Sequence, residues 1–277
     1  MFTSDGAIGV MDSGVGGVSV LNALRILLPY ENVVYLSDSM HAPYGKRDDA
    51  DIRDIVTENA ERLIFLGCKA LVIACNTATA VAVAALRERF SEIPIVGLEP
   101  AVRPAVMYAK ENGEDVLVLA TDLTVRTPRF LALCERNCDE FGIAFNDKKS
   151  ETSKSRLCVL AIQNTVDFVE RGQCASPAHI EYLKEKFLPY REHKFGAVVV
   201  GCTHFPFAEN SISEALGYRP RFFDGAHGAA RRLVYLLKEK KLDRSFYNGE
   251  KGWVEWLDTS AEVGFSQKLR GFRYGGH

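Results

Sequence analysis

LVIACNTAT, residues 71–79, is the stretch on which the fold of this 277-residue chain turns. Leu71 to Ala74 is an apolar run of strand length that stops at Cys75, Asn76, Thr77 and Thr79. An alanine-rich, helix-forming segment then runs from Thr77 to Phe90. An unbroken apolar run of this kind reads as a parallel strand buried on both faces. In open α/β sheets, ligands bind where such strands end. AVVVGCTHFP, residues 197–206, repeats the construction and ends at Cys202, Thr203 and His204. Two thiols therefore arrive in equivalent places.

Working outward, AIGVMDSGVGG (7–17) has the form strand, glycine turn, helix. Ile8 to Met11 form the strand, Asp12 and Ser13 sit at its end, and a helix runs from Val18 to Leu28. Exposed amides in such a turn can hold an anion. GVGG is not the GxGxxG dinucleotide fingerprint, however, and no Walker lysine follows it. Val33 to Leu36 is a second strand, and SDSMHAPYGKR (37–47) is a polar loop carrying Pro43, Tyr44 and Gly45. Asp49 to Leu66 has the apolar period of an amphipathic helix, ended by Gly67. IPIVGLEPA (93–101) is a further strand leading into a proline-containing crossover, where the first domain boundary falls.

Val116 to Leu119 opens a second series, with Thr121 and Thr124 where Asp12 and Ser13 stood in the first. Thr127 to Phe141 reads as a helix, and its Cys134 and Cys138, lacking further ligands at recognisable spacing, read as packing. Residues 146–156 read as a solvated loop. Glu170 lies near a helix end, and Ser176 with Pro177 opens a helix to about Leu188. Arg221 to Phe223 is a strand, Gly228 to Lys238 a helix, and the tail a strand at Val254 to Leu257 followed by a helix, with Trp253 and Trp256 packing. The expected architecture is α/β: two pseudo-symmetric domains with mainly parallel sheets, facing each other across a cleft that holds the active site. The first takes residues 1–98 plus 208–277 and supplies Asp12 and Cys75; the second takes 99–207 and supplies Cys202 and His204.

Composition narrows the function. With 47% hydrophobic and 25% charged residues the chain is an ordinary globular one, and a net charge of -2 supplies no basic field for nucleic acid or anionic lipid. No stretch reaches the length of a membrane span and the amino terminus lacks a secretory pattern, so a cytoplasmic protein is expected. Seven cysteines, an odd count without CxxC spacing, argue against a disulfide framework or a zinc ribbon.

Two polar-escorted cysteines at matching strand ends suggest one chemistry. Inverting a stereocentre with an acidic C–H means removing a proton from one face and returning one to the other, and a single fixed base cannot occupy both. A thiol pair suits this role, because near neutral pH one member can be thiolate while the other keeps its proton. A thiol just before a helix also gains from the partial positive charge there.

DSGVGG (12–17), PYG (43–45), CNTAT (75–79), EPA (99–101), TVR (124–126) and GCTHFP (201–206) together resemble the glutamate racemase family, along essentially the whole chain. The resemblance implies a cofactor-independent bacterial isomerase that makes D-glutamate for peptidoglycan, acts on L- or D-glutamate without nucleic acid or membrane, and forms a homodimer. It implies that Cys75 takes the proton from the D-enantiomer and Cys202 from the L-enantiomer. Asp12 and His204 would be their proton-relay partners, with Glu170 a third. Asp12, Ser13, Tyr44, Gly45, Asn76, Thr77, Thr203 and His204 would bind substrate. QNTVDF (163–168) departs from the apolar, proline-containing segment of relatives, and the short stretch before Asp12 implies no activation by a cell-wall precursor. Alternatives are an aspartate or hydantoin racemase, a non-catalytic amino-acid-binding regulator, or a pyridoxal-phosphate enzyme, the last lacking a lysine at a comparable strand end.

Overall fold

Apolar runs of four to six residues alternate with amphipathic segments along the chain, and in the computed structural model they become strands and helices in that order. The structure describes residues 3–145, 155–244 and 250–260. The first series is β1 (Ile8–Asp12), α1 (Val18–Leu27), β2 (Val33–Ser37), α2 (Asp49–Phe65), β3 (Ala70–Ile73), α3 (Asn76–Arg89) and β4 (Ile95–Gly97). The second opens with α4 (Val102–Asn112), β5 (Asp115–Ala120), α5 (Asp122–Arg126), α6 (Pro128–Phe141), β6 (Ala144–Phe145) and β7 (Arg156–Ala161). It closes with α7 (Thr165–Glu170), α8 (Pro177–Phe187), β8 (Phe195–Val200), α9 (Glu209–Leu216) and β9 (Arg221–Phe223). The chain then adds α10 (Ala226–Glu239) and β10 (Val254–Asp258) to the first series.

Two units result, Met1–Glu99 with Ala226–His277, and Pro100–Gly225. The sequence reading returned the chain to the first unit at residue 208. Instead, residues 208–225 stay with the second, because β9 pairs in parallel with β8. Among the described residues each unit holds a five-stranded sheet, in the orders β10-β2-β1-β3-β4 and β6-β7-β5-β8-β9, with parallel pairing throughout.

The correspondence between the sheets reaches the level of single residues. Beyond β3, the amide of Ala74 donates to Met11 O at 2.8 Å; beyond β8, that of Gly201 donates to Leu119 O at 2.7 Å. On the other flank, Asp38 N donates to Asp12 O at 2.8 Å and Ile162 N to Ala120 O at 3.0 Å. Residue 75 therefore matches 202, Ser13 matches Thr121, and Asp12 matches Ala120. In both sheets the chain leaves the central strand in one direction and comes back on its other side, which makes the junctions β1/β3 and β5/β8 topological switch points.

Local signals explain most element boundaries. Thr127 and Ser176 cap α6 and α8 by accepting Phe130 N and His179 N, each with proline at the first helical position. Pro104 lies in the first turn of α4, where its missing N–H costs nothing, so the segment read as a crossover is a helix. β1, β2 and β3 are buried at every residue; each large aliphatic side chain so buried contributes about 1.5–3 kcal/mol. In the second unit Val116, Val118, Ala197 and Val199 pack with Phe130, Cys134 and Cys138. Burial there pushes the Cys138 thiol up to about 12 and that of Cys134 higher still. Trp256 rests on Tyr35 with ring centroids 5.2 Å apart, while Trp253 is half exposed. Of the polar stretch 146–156, residues 146–154 lie outside the described residues, as does the expected final helix; Arg156 already begins β7.

Candidate active site

At the β1/β3 switch point the glycine turn is folded around Asp12. This carboxylate is fully buried and accepts Gly14 N at 3.1 Å, while Tyr35 Oη donates to Gly14 O at 2.9 Å. In this glycine turn, whose amides could hold an anion, the Gly14 amide is turned inward onto the protein's own acid. Gly17 is there for close approach: a Cβ at that position would stand 2.6 Å from Asp12 Cβ and 2.6 Å from Tyr35 Oη.

Cys75 is the N-cap of α3, with extended backbone, and only 6% of it is exposed. Its Sγ lies 3.8 Å from Ser13 Oγ. The unpaired amides of the first helical turn favour a thiolate at this position. Asn76 donates from Nδ2 to Leu98 O at 3.2 Å, which leaves Oδ1 a buried acceptor without a protein partner among the described residues. Thr77 is buried beside it. Thr79 is committed elsewhere: its hydroxyl donates to Ile73 O at 3.1 Å and accepts Leu98 N at 3.0 Å, tying β3 to the end of β4.

The loop after β2 brings Tyr44 and Gly45 to the same end of the sheet, both buried in a 3₁₀ turn, Tyr44–Lys46, that packs on α3. Tyr44 Oη donates to Asp38 Oδ2 at 2.5 Å. Burial first, then the charge of Asp38 and its hydrogen bond, raise the phenol far above its usual range, so it remains a neutral donor.

The β5/β8 switch point carries different chemistry. Cys202, Thr203 and His204 are all buried. His204 Nδ1 is 3.8 Å from Cys202 Sγ and 3.4 Å from Thr203 Oγ1; Nε2 is 2.6 Å from Glu170 Oε1, at the end of α7. Burial by itself would lower the imidazole pKa. The hydrogen bonds and charges of Cys202 and Glu170 outweigh it, and His204 is held well above its ordinary value. Cys202, His204 and Glu170 thus form a connected row, whereas the Thr121 and Thr124 hydroxyls bond to each other at 2.8 Å and Thr121 caps α5 by accepting Thr124 N. Among the described residues no cluster of three or more His, Cys, Asp or Glu could hold a metal ion.

A family model described as Asp/Glu/Hydantoin racemase matches residues 8–233, a span that includes both cysteines and both switch points. The chain belongs to that family. A relative from Clostridium perfringens named glutamate racemase is 37% identical to it over 95% of each chain. One of the same name from Ralstonia pickettii is 41% identical over 86% of this racemase and 78% of its own length. A crystal structure of glutamate racemase from Francisella tularensis, described as a complex with D-glutamate, superposes with a TM-score of 0.77 at 25% identity, covering 96% of this chain and 93% of that one.

Two features of this racemase escaped the sequence reading. Asp38 ends the run VVYLS just as Asp12 ends IGVM, a parallel that marks it as an acid at a neighbouring strand end. Glu31 and Lys69 form a fully buried ion pair at 2.5 Å, and Lys69 Nζ also donates to Ser4 O at 2.6 Å. Their signal in sequence is only that each lies just ahead of a strand, which many surface charges also do.

Proposed function

We propose that this chain is a glutamate racemase that interconverts L- and D-glutamate by a two-thiol mechanism. The observation that carries the reading is the pair of thiols one residue beyond the same backbone hydrogen bond, Ala74 to Met11 and Gly201 to Leu119, each beside the central strand of its sheet at a switch point. One thiolate takes the α-proton, forming S–H and leaving the electron pair on a carbanion conjugated with the α-carboxylate. The other thiol then gives its proton to that carbon, and the enzyme finishes with the thiol and thiolate exchanged. No redox partner is needed.

Cys75 serves D-glutamate and Cys202 serves L-glutamate. His204, held as imidazolium by Glu170, relays the proton of Cys202, while Asp12 has the corresponding part beside Cys75. Ser13, Thr77, Thr203 and the Tyr44–Gly45 turn supply hydroxyl and amide donors for the substrate carboxylates. The free Oδ1 of Asn76 is an acceptor of the kind an ammonium group requires. The biological reading is supply of D-glutamate for peptidoglycan in the bacterial cytoplasm, by a homodimer whose mass in light scattering is twice that of the chain.

The test is incubation with L-glutamate in D₂O, following loss of optical rotation and entry of deuterium at the α-carbon. Cys75→Ala and Cys202→Ala each lower turnover at least roughly a hundredfold. Near-normal racemisation by either variant rejects the two-thiol reading. An amino-acid-binding regulator would leave glutamate unlabelled, and aspartate in the same assay separates the two amino acids in the family's description.

A further inference from the structure

The loop 38–47 carries the Tyr44–Gly45 turn, yet contains no regular element longer than three residues. Its shape must come from side-chain bonds. Asp38 is fully buried, and a buried carboxylate is costly unless donors surround it. Three side chains supply them: Tyr44 Oη at 2.5 Å, Thr259 Oγ1 at 2.6 Å, and His41 Nδ1 at 2.9 and 3.0 Å from the two oxygens.

Two of these donors belong to the loop, but Thr259 comes from just past β10, more than two hundred residues away. The connection is repeated around it. Thr259 Oγ1 also accepts Met40 N at 3.1 Å, Thr259 N donates to Ser37 O at 3.0 Å, and Ser39 Oγ reaches both Asp258 oxygens at 2.7 and 2.8 Å. Among the described residues β10 is an edge strand whose one neighbour in the sheet is β2, the strand that leads into the loop. Because Asp38 N is bonded to Asp12 O, the anchor also sits one strand across from the acid at the β1/β3 switch point.

We propose that Asp38, held by Thr259, is a positioning residue for the Tyr44–Gly45 turn, so that the end of the C-terminal edge strand sets the shape of the glutamate site. The inference rests on the glutamate reading above. Tyr44, kept protonated by its surroundings, has Asp38 as its acceptor at neutral pH. Loss of the anchor leaves the turn free to sample other conformations, which weakens substrate binding without removing a reacting group.

Thr259→Val deletes both hydroxyl bonds at nearly constant volume. The expected result is a KM for each enantiomer raised roughly tenfold, the size of one lost charge-assisted hydrogen bond, with kcat changed less than about threefold. Thr259→Ser keeps the hydroxyl and restores KM. Asp38→Asn acts in the same direction, and combining it with Tyr44→Phe costs less than the sum of the two single changes, since both weaken the bond between residues 38 and 44. Amide hydrogen exchange in residues 38–47 quickens in Thr259→Val. An unchanged KM in this variant, with wild-type turnover intact, overturns the inference even if the melting temperature falls, for the edge strand would then be merely structural. If the wild type racemises no glutamate, it is the functional reading that fails. Hydrogen exchange then decides the anchor by itself, with unaltered protection of the loop refuting it.

Discussion

Replacing Glu170 by glutamine isolates the charge that holds His204. The Nε2–Oε1 distance is 2.6 Å, the imidazole is 2% exposed and the glutamate side chain 21% exposed. Unit charges about 4 Å apart at an effective dielectric of 20 attract by roughly 4 kcal/mol, an upper limit here because one partner touches solvent. A hydrogen bond to a charged group contributes about 1.5–3 kcal/mol, equivalent to a fall of about one to two units in the His204 pKa when the charge is removed. Glutamine keeps the shape and can still accept from Nε2, so packing stays as it was. Imidazole titration by ¹⁵N NMR reads the shift directly. In kinetics, the alkaline limb of the kcat/KM profile moves toward neutral pH, and kcat/KM falls roughly ten- to a hundredfold. Because the free enantiomers have equal energies, this fall is the same in both directions. A His204 pKa in Glu170→Gln within about 0.3 units of wild type refutes the assignment of Glu170 as the group that charges it.

Gly17→Ala sets a methyl group 2.6 Å from Asp12 Cβ, so a loss of about 1–3 kcal/mol in urea unfolding is expected together with lower kcat/KM; wild-type values of both contradict the close-approach argument. Glu31→Ala strands the buried ammonium of Lys69 and costs about 3–5 kcal/mol, whereas Glu31→Leu combined with Lys69→Met recovers most of it. Equal losses in the single and double variants count against this account. His179 is buried between Thr165 Oγ1 and Cys174 O, and desolvation, partly offset by the carbonyl bond, lowers its pKa below the unfolded value. Its contribution to stability is therefore full above about pH 6.5 and lost as pH falls through the folded-state pKa. His179→Asn accordingly loses less melting temperature than wild type between pH 8 and 5.5, and parallel losses disprove the assignment.

Legibility followed physical cause. β1, β3, β5 and β8 were readable because strands buried on both faces must be apolar throughout, and the residues that stop such runs lie at the binding end of a parallel sheet. β7 was missed because its short run follows a long polar stretch, and α4 because a proline in a first helical turn looks like a breaker. The second boundary was set too early because β9 is only three residues long, and its pairing with β8 has no local signature. Cys75, Cys202, Asp12 and His204 announced themselves by position, as polar residues closing apolar runs. The bond from Glu170 to His204 spans 34 residues and could not be read from spacing, nor could the attachment of Thr259 to Asp38. Thr79 reads as part of the polar group around Cys75, but its hydroxyl is used up in holding β4.

The two switch points share a backbone plan and differ in their furnishings: the central strand ends in Asp12 in one sheet and in Ala120 in the other, where His204 and Glu170 hold the charge instead. A catalyst assembled solely from L-amino acids cannot be its own mirror image, so it has no means of treating opposite-handed substrates alike. Mirror-image molecules in water are degenerate; bound to such a catalyst they are not. On the two-thiol reading, whichever hand is held more tightly must then be released or converted more slowly, by the same factor, and the unequal surroundings of residues 75 and 202 are where that imbalance is written.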